Sequence, residues 1–180
     1  MLSKNGSAGG LERQSRLHSY PYNINRGKVD RMKVERVDHI HYYVKDVEST
    51  VTAFEKLVGI DFWTFQGGQK VLDITAEHGV KLGHNPLGFE VLQVTDQSKR
   101  GAQWPSGPQE GIFAISFKVP DIEASVEELK KQGFKVVLPL VQTGGVKEAL
   151  LESSNIPGIQ IELCEYKGDD ITAAAGVLPE

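Results

Sequence analysis

Alternating side chains in the segment VDHIHYYV, residues 37–44, predict a β-strand early in the chain. Most of its positions are β-branched or aromatic, which are residue types favoured in strands. Because residues two apart in a strand point to the same side, His39, His41 and Tyr43 share one face. A strand with an apolar opposite face therefore presents two imidazoles side by side.

A helix is predicted directly after this strand. Asp46 stands where a carboxylate can accept the first free backbone N–H groups of a helix. The apolar positions that follow are spaced by three and four residues, as on one face of a helix: Val47, Val51, Phe54 and Leu57. Gly59 is expected to end the helix, since glycine adopts the left-handed conformation at little cost. Short strand-like runs separated by turns follow at 61–65, 71–75, 80–82 and 89–94.

The same order of features returns in the second half of the chain. The Val-x-Asp at 44–46 aligns with the Val-x-Asp at 119–121, after a strand-like run that begins at Ile112. A second apolar stripe follows at Ile122, Val126 and Leu129, then Gly133, and then strand-like runs at 135–138, 148–151 and 159–164. Each copy reads β-α-β-β-β and cannot cover both faces of its own sheet. The predicted fold is therefore α+β, with two tandem βαβββ modules forming a curved mixed sheet around a shared cleft.

This repeat divides the chain into four parts. Residues 1–33 are polar and poorly periodic, and we expect a flexible leader or an arm that packs on a partner. The paired modules are expected at about 34–96 and 110–166, within a domain spanning 34–166. Residues 167–180 are expected to form a C-terminal tail.

Composition narrows the classes of function. The 180 residues are 39% hydrophobic, enough for one compact domain, and contain no apolar run typical of a membrane span. The formal net charge is −4, and the lysines and arginines are scattered, which argues against nucleic acid as a partner. The single cysteine, Cys164, excludes an internal disulfide and a cysteine-ligated zinc cluster. We expect a cytoplasmic protein whose partner is a small molecule.

Two carboxylates at equivalent repeat positions indicate a site. Glu90 lies inside the apolar run FEVLQV, and Glu162 lies inside IQIELCEY. Burying a carboxylate is costly unless it is paired, protonated or bound to a metal. If the modules face each other, His39, Glu90 and Glu162 can meet in the cleft and hold a divalent ion such as Zn, Mn, Co, Ni or Fe. The alternative for His39 is a hydrogen-bonded core histidine without a metal.

The sequence resembles the vicinal oxygen chelate superfamily, which includes glyoxalase I, extradiol dioxygenases, methylmalonyl-CoA epimerase and bleomycin-resistance proteins. The resemblance covers about residues 34–166. Its motifs are Asp38-His39 with Val44-Lys45-Asp46, the repeat at 119–124 (VPDIEA), and the run 158–163 (GIQIEL). The epimerase branch is most similar, because residues 77–80 (EHGV) resemble a Glu-x-Gly-Val segment of that branch.

This resemblance implies a metal site with one member missing. His39, Glu90 and Glu162 match three of the family's four ligand positions. Ala114 stands at the fourth, where the family has a histidine, and alanine cannot bind a metal. His41, on the same strand face as His39, is a candidate for the missing nitrogen or for a substrate contact.

The resemblance also implies a chemistry. Family members hold adjacent substrate oxygens on the metal, which stabilises an enolate-like oxyanion while a carboxylate removes the α-proton. Glu77 is the expected base, with Glu162 and His41 as further catalytic residues. Tyr43, Ser116 and Lys118 are expected to line the substrate cleft.

Three interpretations of function remain open at this stage. The first is a metal-dependent isomerase or lyase that acts on a small carbonyl or acyl-thioester substrate. The second is a metal-free protein of the same fold that binds or sequesters a small molecule, which the apolar pair Phe113 and Ala114 would suit. The third is a metal-free enzyme that uses His41 and Glu162. In each case the resemblance implies a homodimer.

Overall fold

The computed structural model describes residues 32–65, 67–99 and 110–176. Almost all of the predicted leader, 1–33, lies outside these described residues. Within them, no helix has the length and apolar character needed to cross a membrane.

The first half contains the predicted β-α-β-β-β order with one short additional helix. Its elements are β1 (Arg36–Tyr43), α1 (Val47–Ala53), β2 (Leu72–Asp73), α2 (Thr75–His78), β3 (Val80–Asn85) and β4 (Phe89–Val94). The side chain of Asp46 accepts a hydrogen bond from the N–H of Ser49 and caps α1, as the sequence predicts.

The second half repeats this order. Its elements are β5 (Gly111–Lys118), α3 (Ile122–Lys131), β6 (Lys135–Thr143), β7 (Val146–Glu152) and β8 (Gln160–Glu165), followed by α4 (Ile171–Ala175). Asp121 caps α3 through the N–H of Ala124, which matches the role of Asp46 in the first half.

All eight strands form one sheet in the order β2-β3-β4-β1-β5-β8-β7-β6. β1 pairs in parallel with β4, β5 pairs in parallel with β8, and β1 and β5 join the halves as an antiparallel pair. The sheet is a curved half-barrel of two βαβββ modules, which confirms the predicted fold class.

Helices α1 and α3 cover the outer face of the sheet. Val47 and Val51 of α1 are buried against β4, while Ile122 and Leu129 of α3 are buried against β7 and β8. Burial of each such side chain contributes roughly 1.5–3 kcal/mol. Because the outer face is taken by helices, the histidines of β1 are left to the concave face.

Two predictions about the first module are wrong in detail. Residues 61–65 form no strand, and only Phe65 makes an isolated bridge, to Gln69. Leu57 is 84% exposed rather than part of the buried stripe. The reason is a π-helical turn at Phe54–Val58, whose wider spacing rotates Leu57 off the apolar face before Gly59 ends the helix at φ 76°.

The segment predicted as a C-terminal tail contains a packed helix. The side chain of Asp170 caps α4, and Ile171, Ala174 and Ala175 pack against buried Val146, Cys164 and Tyr166. Asp170 provides the capping signal in the sequence, but a helix of one turn and a half has too little periodicity to predict.

Candidate metal centre

Two imidazoles from β1 lie next to each other on the concave face. His39 is 3% exposed and His41 is 7% exposed, and their ring centres are 4.5 Å apart. Their spacing of two residues along the strand places them on the same face, as the sequence predicts. Strand β8 of the second module, which is separated from β1 by β5, supplies the group that both rings face.

Glu162 of β8 lies in front of both rings. Its Oε2 is 2.7 Å from Nε2 of His41 and 3.1 Å from Nε2 of His39. Glu162 is itself 7% exposed. One carboxylate oxygen and two imidazole nitrogens thus converge on the same buried point.

A second carboxylate contacts the other ring nitrogen, Nδ1, of each imidazole. Nδ1 of His41 lies 2.9 Å from Oε1 of Glu90, and Nδ1 of His39 lies 3.0 Å from Oδ1 of Asp38. Metal-binding histidines commonly donate their second ring N–H to a carboxylate in this way, which fixes the tautomer and leaves the other nitrogen for the metal.

Strand pairing explains why His41 can reach the site. In the β1–β5 pair His41 is the Cα partner of Ala114, and in the β1–β4 pair it is the partner of Glu90. The matching pair in the second module joins Ser116 to Glu162. Where the repeat lacks a histidine at Ala114, an imidazole therefore comes from the facing strand.

The electrostatics of the cluster favour charged side chains. Burial and the neighbouring His41 oppose protonation of His39, but hydrogen bonds to Asp38 and Glu162 outweigh them and raise its pKa to about 9. Burial likewise disfavours the charge on His41, yet the charges of Glu162 and Glu90 raise its pKa well above the ordinary value.

The two carboxylates respond in the opposite direction. Burial alone would raise the pKa of Glu162, but the His41 charge and hydrogen bonds to both imidazoles hold it far below its usual range. Burial would also raise the pKa of Glu90, but the charge of His41 and its hydrogen bond lower that pKa to about 2. The four groups form a paired buried charge cluster.

The donor set suits a divalent cation. Ligand atoms of His39, His41 and Glu162 all lie within 4.8 Å of one another. Two imidazoles and one carboxylate form a set used for Zn and for non-haem Fe, with further positions left for water or substrate. Glu90, expected as a ligand, instead contacts the far nitrogen of His41, so its place in the ligand set stays a prediction.

The residues expected to line the cleft are buried around the cluster. Tyr43 packs in an apolar group with Leu92 and Leu150. Ser116 is fully buried, and its hydroxyl lies 3.5 Å from the sulfur of Cys164. The ammonium of Lys118 donates to the carbonyl oxygen of Gly168 at 2.5 Å. Their contact with a substrate stays a prediction.

Glu77, the expected base, lies on α2 and is exposed. Among the described residues, it makes no hydrogen bond or ion pair with the histidine cluster. Its assignment therefore depends on the resemblance, and its role also stays a prediction.

Glu148 is a further candidate site residue, beyond those predicted from the sequence. It lies partly buried on β7, beside Cys164 of β8, and its side chain makes no hydrogen bond or ion pair within the described parts of the chain. Burial, together with the charges of Glu162 and Glu90, raises its pKa to about 7. A signal was present in the sequence, because Glu148 shares a strand face with Val146 and Leu150, two residues to either side.

His84 of β3 also lies deeper than its position before a turn indicates. It is 4% exposed, stacks on Trp63 at 4.8 Å between ring centres, and lies 5.6 Å from the ring of His39. Neither ring nitrogen has a hydrogen-bond partner among the described residues. Burial is the main reason that its pKa falls to about 4.

Known proteins share this fold. A family model described as the Glyoxalase/Bleomycin resistance protein/Dioxygenase superfamily matches residues 38–149. Virulence protein STM3117 of Salmonella typhimurium is 25% identical over 138 residues, which cover 76% of this chain and 88% of that protein.

Solved structures agree on the fold. Methylmalonyl-CoA epimerase from Mycobacterium tuberculosis is 19% identical with a TM-score of 0.58, covering 79% of this chain and 95% of that one. A variant of Streptomyces coelicolor methylmalonyl-CoA epimerase in complex with 2-nitronate-propionyl-CoA is 19% identical with a TM-score of 0.58, covering 76% and 100%. A hypothetical protein from Bacillus halodurans is 22% identical with a TM-score of 0.60, covering 75% and 96%.

Proposed function

The chain belongs to the glyoxalase/bleomycin resistance protein/dioxygenase superfamily, and on that premise we propose that it is a metal-dependent isomerase or lyase. Its substrate would be a small carbonyl compound or acyl thioester that loses an α-proton. One observation carries the proposal. Nε2 of His39 and Nε2 of His41 both face Oε2 of Glu162, while each Nδ1 is held by another carboxylate.

His39, His41 and Glu162 would hold the metal, with Glu90 and Asp38 behind the two imidazoles. A divalent ion bound there would act as a Lewis acid that stabilises negative charge developing on a carbonyl oxygen. Burial of the three ligand side chains keeps water from competing, which strengthens every electrostatic interaction at the site.

Proton transfer would fall to carboxylates outside the ligand set. Glu77, in the first module, is the base that the family resemblance favours. Glu148, in the second module, has a pKa raised to about 7, as a group that accepts and returns a proton near neutral pH requires. His41 and Glu162 would act through the metal, by holding it where the reacting carbonyl oxygen would bind.

The proposed substrate class takes support from the structural relatives. The Streptomyces coelicolor enzyme binds 2-nitronate-propionyl-CoA, an acyl-CoA analogue. The identity of 19% supports the fold alone, so an acyl thioester is one member of the proposed class, beside small free carbonyl compounds. A homodimer in the cytoplasm remains our expectation for the assembly.

A second candidate function is a metal-free protein that binds a small molecule. It is favoured by the completeness of the charge cluster, because both nitrogens of His41 already have carboxylate partners. Such a paired cluster can persist without a cation. Ala114 and Phe113 are also buried next to it and add apolar surface.

Metal analysis separates the two candidates. The purified protein is stripped with a chelator, reloaded separately with Zn, Mn, Co, Ni and Fe, desalted and analysed by mass spectrometry. We expect about one equivalent of at least one metal, lost in His39→Ala and retained in His78→Ala, which changes an exposed histidine. Absence of stoichiometric metal after every loading would support the metal-free candidate and overturn the enzyme proposal.

A further inference from the structure

A line of hydrogen bonds runs from His39 to the chain beyond β8. Nδ1 of His39 contacts Oδ1 of Asp38, and Oδ2 of Asp38 accepts a short hydrogen bond from the hydroxyl of Tyr166. The Tyr166 oxygen in turn accepts from Nη2 of Arg36 at 2.5 Å. The line begins at a candidate metal ligand and passes through Tyr166, the residue after β8, to Arg36 of β1.

Asp38 is held from several sides and is itself buried. Its side chain is 4% exposed, and besides His39 and Tyr166 it accepts from Nε of Arg36 at 3.2 Å. Both carboxylate oxygens are thus engaged, Oδ1 by His39 and Oδ2 by Tyr166 and Arg36. Such a carboxylate has little freedom to turn away from the imidazole.

The C-terminal segment is fixed at the same point. Nη2 of Arg36 also donates to the carbonyl oxygen of Asp169 at 2.8 Å. The Lys118 ammonium lies 4.1 Å from the centre of the Tyr166 ring and donates to Gly168. Helix α4 then packs against Tyr166. Residues 166–175 therefore close one end of the sheet directly behind Asp38.

We propose that Tyr166 and Arg36 are positioning residues for His39, so that the C-terminal segment sets the metal affinity of the cluster. The inference rests on the proposed function, because it concerns the same metal site. Its physical basis is that a fixed Asp38 selects the tautomer and the ring orientation that aim Nε2 of His39 at Glu162. Loss of such an outer hydrogen bond weakens metal binding about 10–100-fold in known sites.

A purely structural role for the network predicts a different result. Removing the Tyr166 hydroxyl would then lower the thermal stability of the protein without changing the metal affinity of the folded fraction. Metal affinity and the state of the His39 ring are therefore the informative measurements.

The first measurement compares two tyrosine variants of the full chain. Tyr166→Phe removes the hydroxyl bound to Asp38, and Tyr42→Phe is the matched control on the outer face, where its ring packs near Phe54 and Phe89. Zinc dissociation constants come from competition with a chromophoric chelator at fixed pH. We expect Tyr166→Phe to bind zinc at least about tenfold more weakly and Tyr42→Phe to match the wild type. Equal affinities in all three folded proteins would overturn the inference.

The second measurement needs no metal. In metal-free protein labelled with ¹⁵N-histidine, the His39 ring signals are assigned with a His39→Gln variant. We expect a slowly exchanging Nδ1–H in the wild type and faster exchange in Tyr166→Phe, with Tyr42→Phe unchanged. A wild type that binds no zinc but shows this response would end the proposed function and leave the coupling intact. An unchanged His39 signal in Tyr166→Phe would end the coupling.

Discussion

His41 is the residue on which the proposed site depends most. In the superfamily pattern the second module supplies a ligand histidine, and here that position is Ala114. His41 is the cross-strand partner of Ala114, and its Nε2 lies 2.7 Å from Glu162. An imidazole placed on β1 can thus occupy space that an imidazole on β5 would otherwise fill.

Exchange of the imidazole between strands tests this interpretation. We expect His41→Ala to weaken zinc binding by at least about 100-fold, because it removes a ligand rather than an outer contact. The double variant His41→Ala with Ala114→His should recover much of the affinity, since the two Cα positions face each other. Calorimetric zinc titration measures both. A folded double variant that binds no better than His41→Ala would argue against the exchange.

We expect the proposed proton-transfer residue Glu148 to lower the stability of the folded protein. Burial and the charges of Glu162 and Glu90 raise its pKa to about 7, so its ionisation costs free energy in the folded state. Its destabilising effect grows as the pH rises from the unfolded value, about 4.3, towards 7, and is complete above that.

The effect of substituting Glu148 on the free energy of unfolding should therefore depend on pH. In metal-free protein, we expect Glu148→Gln to raise the free energy of unfolding at pH 8 by on the order of 1–3 kcal/mol and to leave it almost unchanged at pH 4. Urea denaturation at the two pH values measures the effect, with Glu152→Gln as a control on an exposed position of the same strand. Stabilisation of equal size at both pH values would show that the charge of Glu148 is not the cause.

At the scale of elements, the repeat made the strands and helix starts predictable. Asp46 and Asp121 cap α1 and α3 as expected, and the spacing of His39 and His41 predicted their common face. The π-helical turn after Ala53 was not predictable, because it depends on tertiary packing rather than on residue spacing. The contact of His41 with both modules also required the strand register, which one sequence does not specify.

The approach of α1 to β3 depends on a glycine. A Cβ on Gly83 would lie 2.7 Å from Cγ2 of Val51 and 3.2 Å from the Phe62 ring. We expect Gly83→Ala to lower the free energy of unfolding by about 1–3 kcal/mol, as overpacking of a buried contact does. Chemical denaturation measures the loss. The double variant Gly83→Ala with Val51→Ala should regain part of it, and no loss in the single variant would contradict the packing described.

At the scale of the whole molecule, the sheet brings together groups from both modules that no local pattern connects. β1, β4 and β8 contribute His41, Glu90 and Glu162, and the segment after β8 contributes Tyr166. The resemblance to a family predicted Glu90 and Glu162, together with His39, as a site, and His41 as a candidate for the missing nitrogen or for a substrate contact. Tyr166 was missed, because its contact with Asp38 spans 128 positions along the chain and only the closed fold brings them together.

The cluster should give metal-free protein an unusual dependence of stability on pH. The pKa of His39 is raised to about 9, so its contribution is complete below the unfolded value, about 6.5, and is lost as the pH rises towards 9. Glu90 and Glu162 have lowered pKa values, so their contribution is complete above about 4.3 and is lost at lower pH. We expect metal-free protein to be most stable between about pH 4.5 and 6.5.

Zinc binding should counteract the loss of stability that the metal-free protein shows as the pH rises. A metal needs neutral imidazoles, so its affinity rises as the pH rises from 6 to 8. Thermal unfolding over this range should show falling stability without zinc and a zinc-induced stabilisation that grows with pH. A stabilisation by zinc that is the same at pH 6 and pH 8 would contradict the histidine ligands.

We propose that His39, His41 and Glu162 together hold one divalent metal. The most direct test is an anomalous difference map at the zinc edge from crystals of zinc-loaded protein. We expect one strong peak, about 2.0–2.2 Å from Nε2 of both histidines and from a carboxylate oxygen of Glu162. A peak bound elsewhere, or no peak at this cluster in zinc-saturated crystals, would contradict the claim.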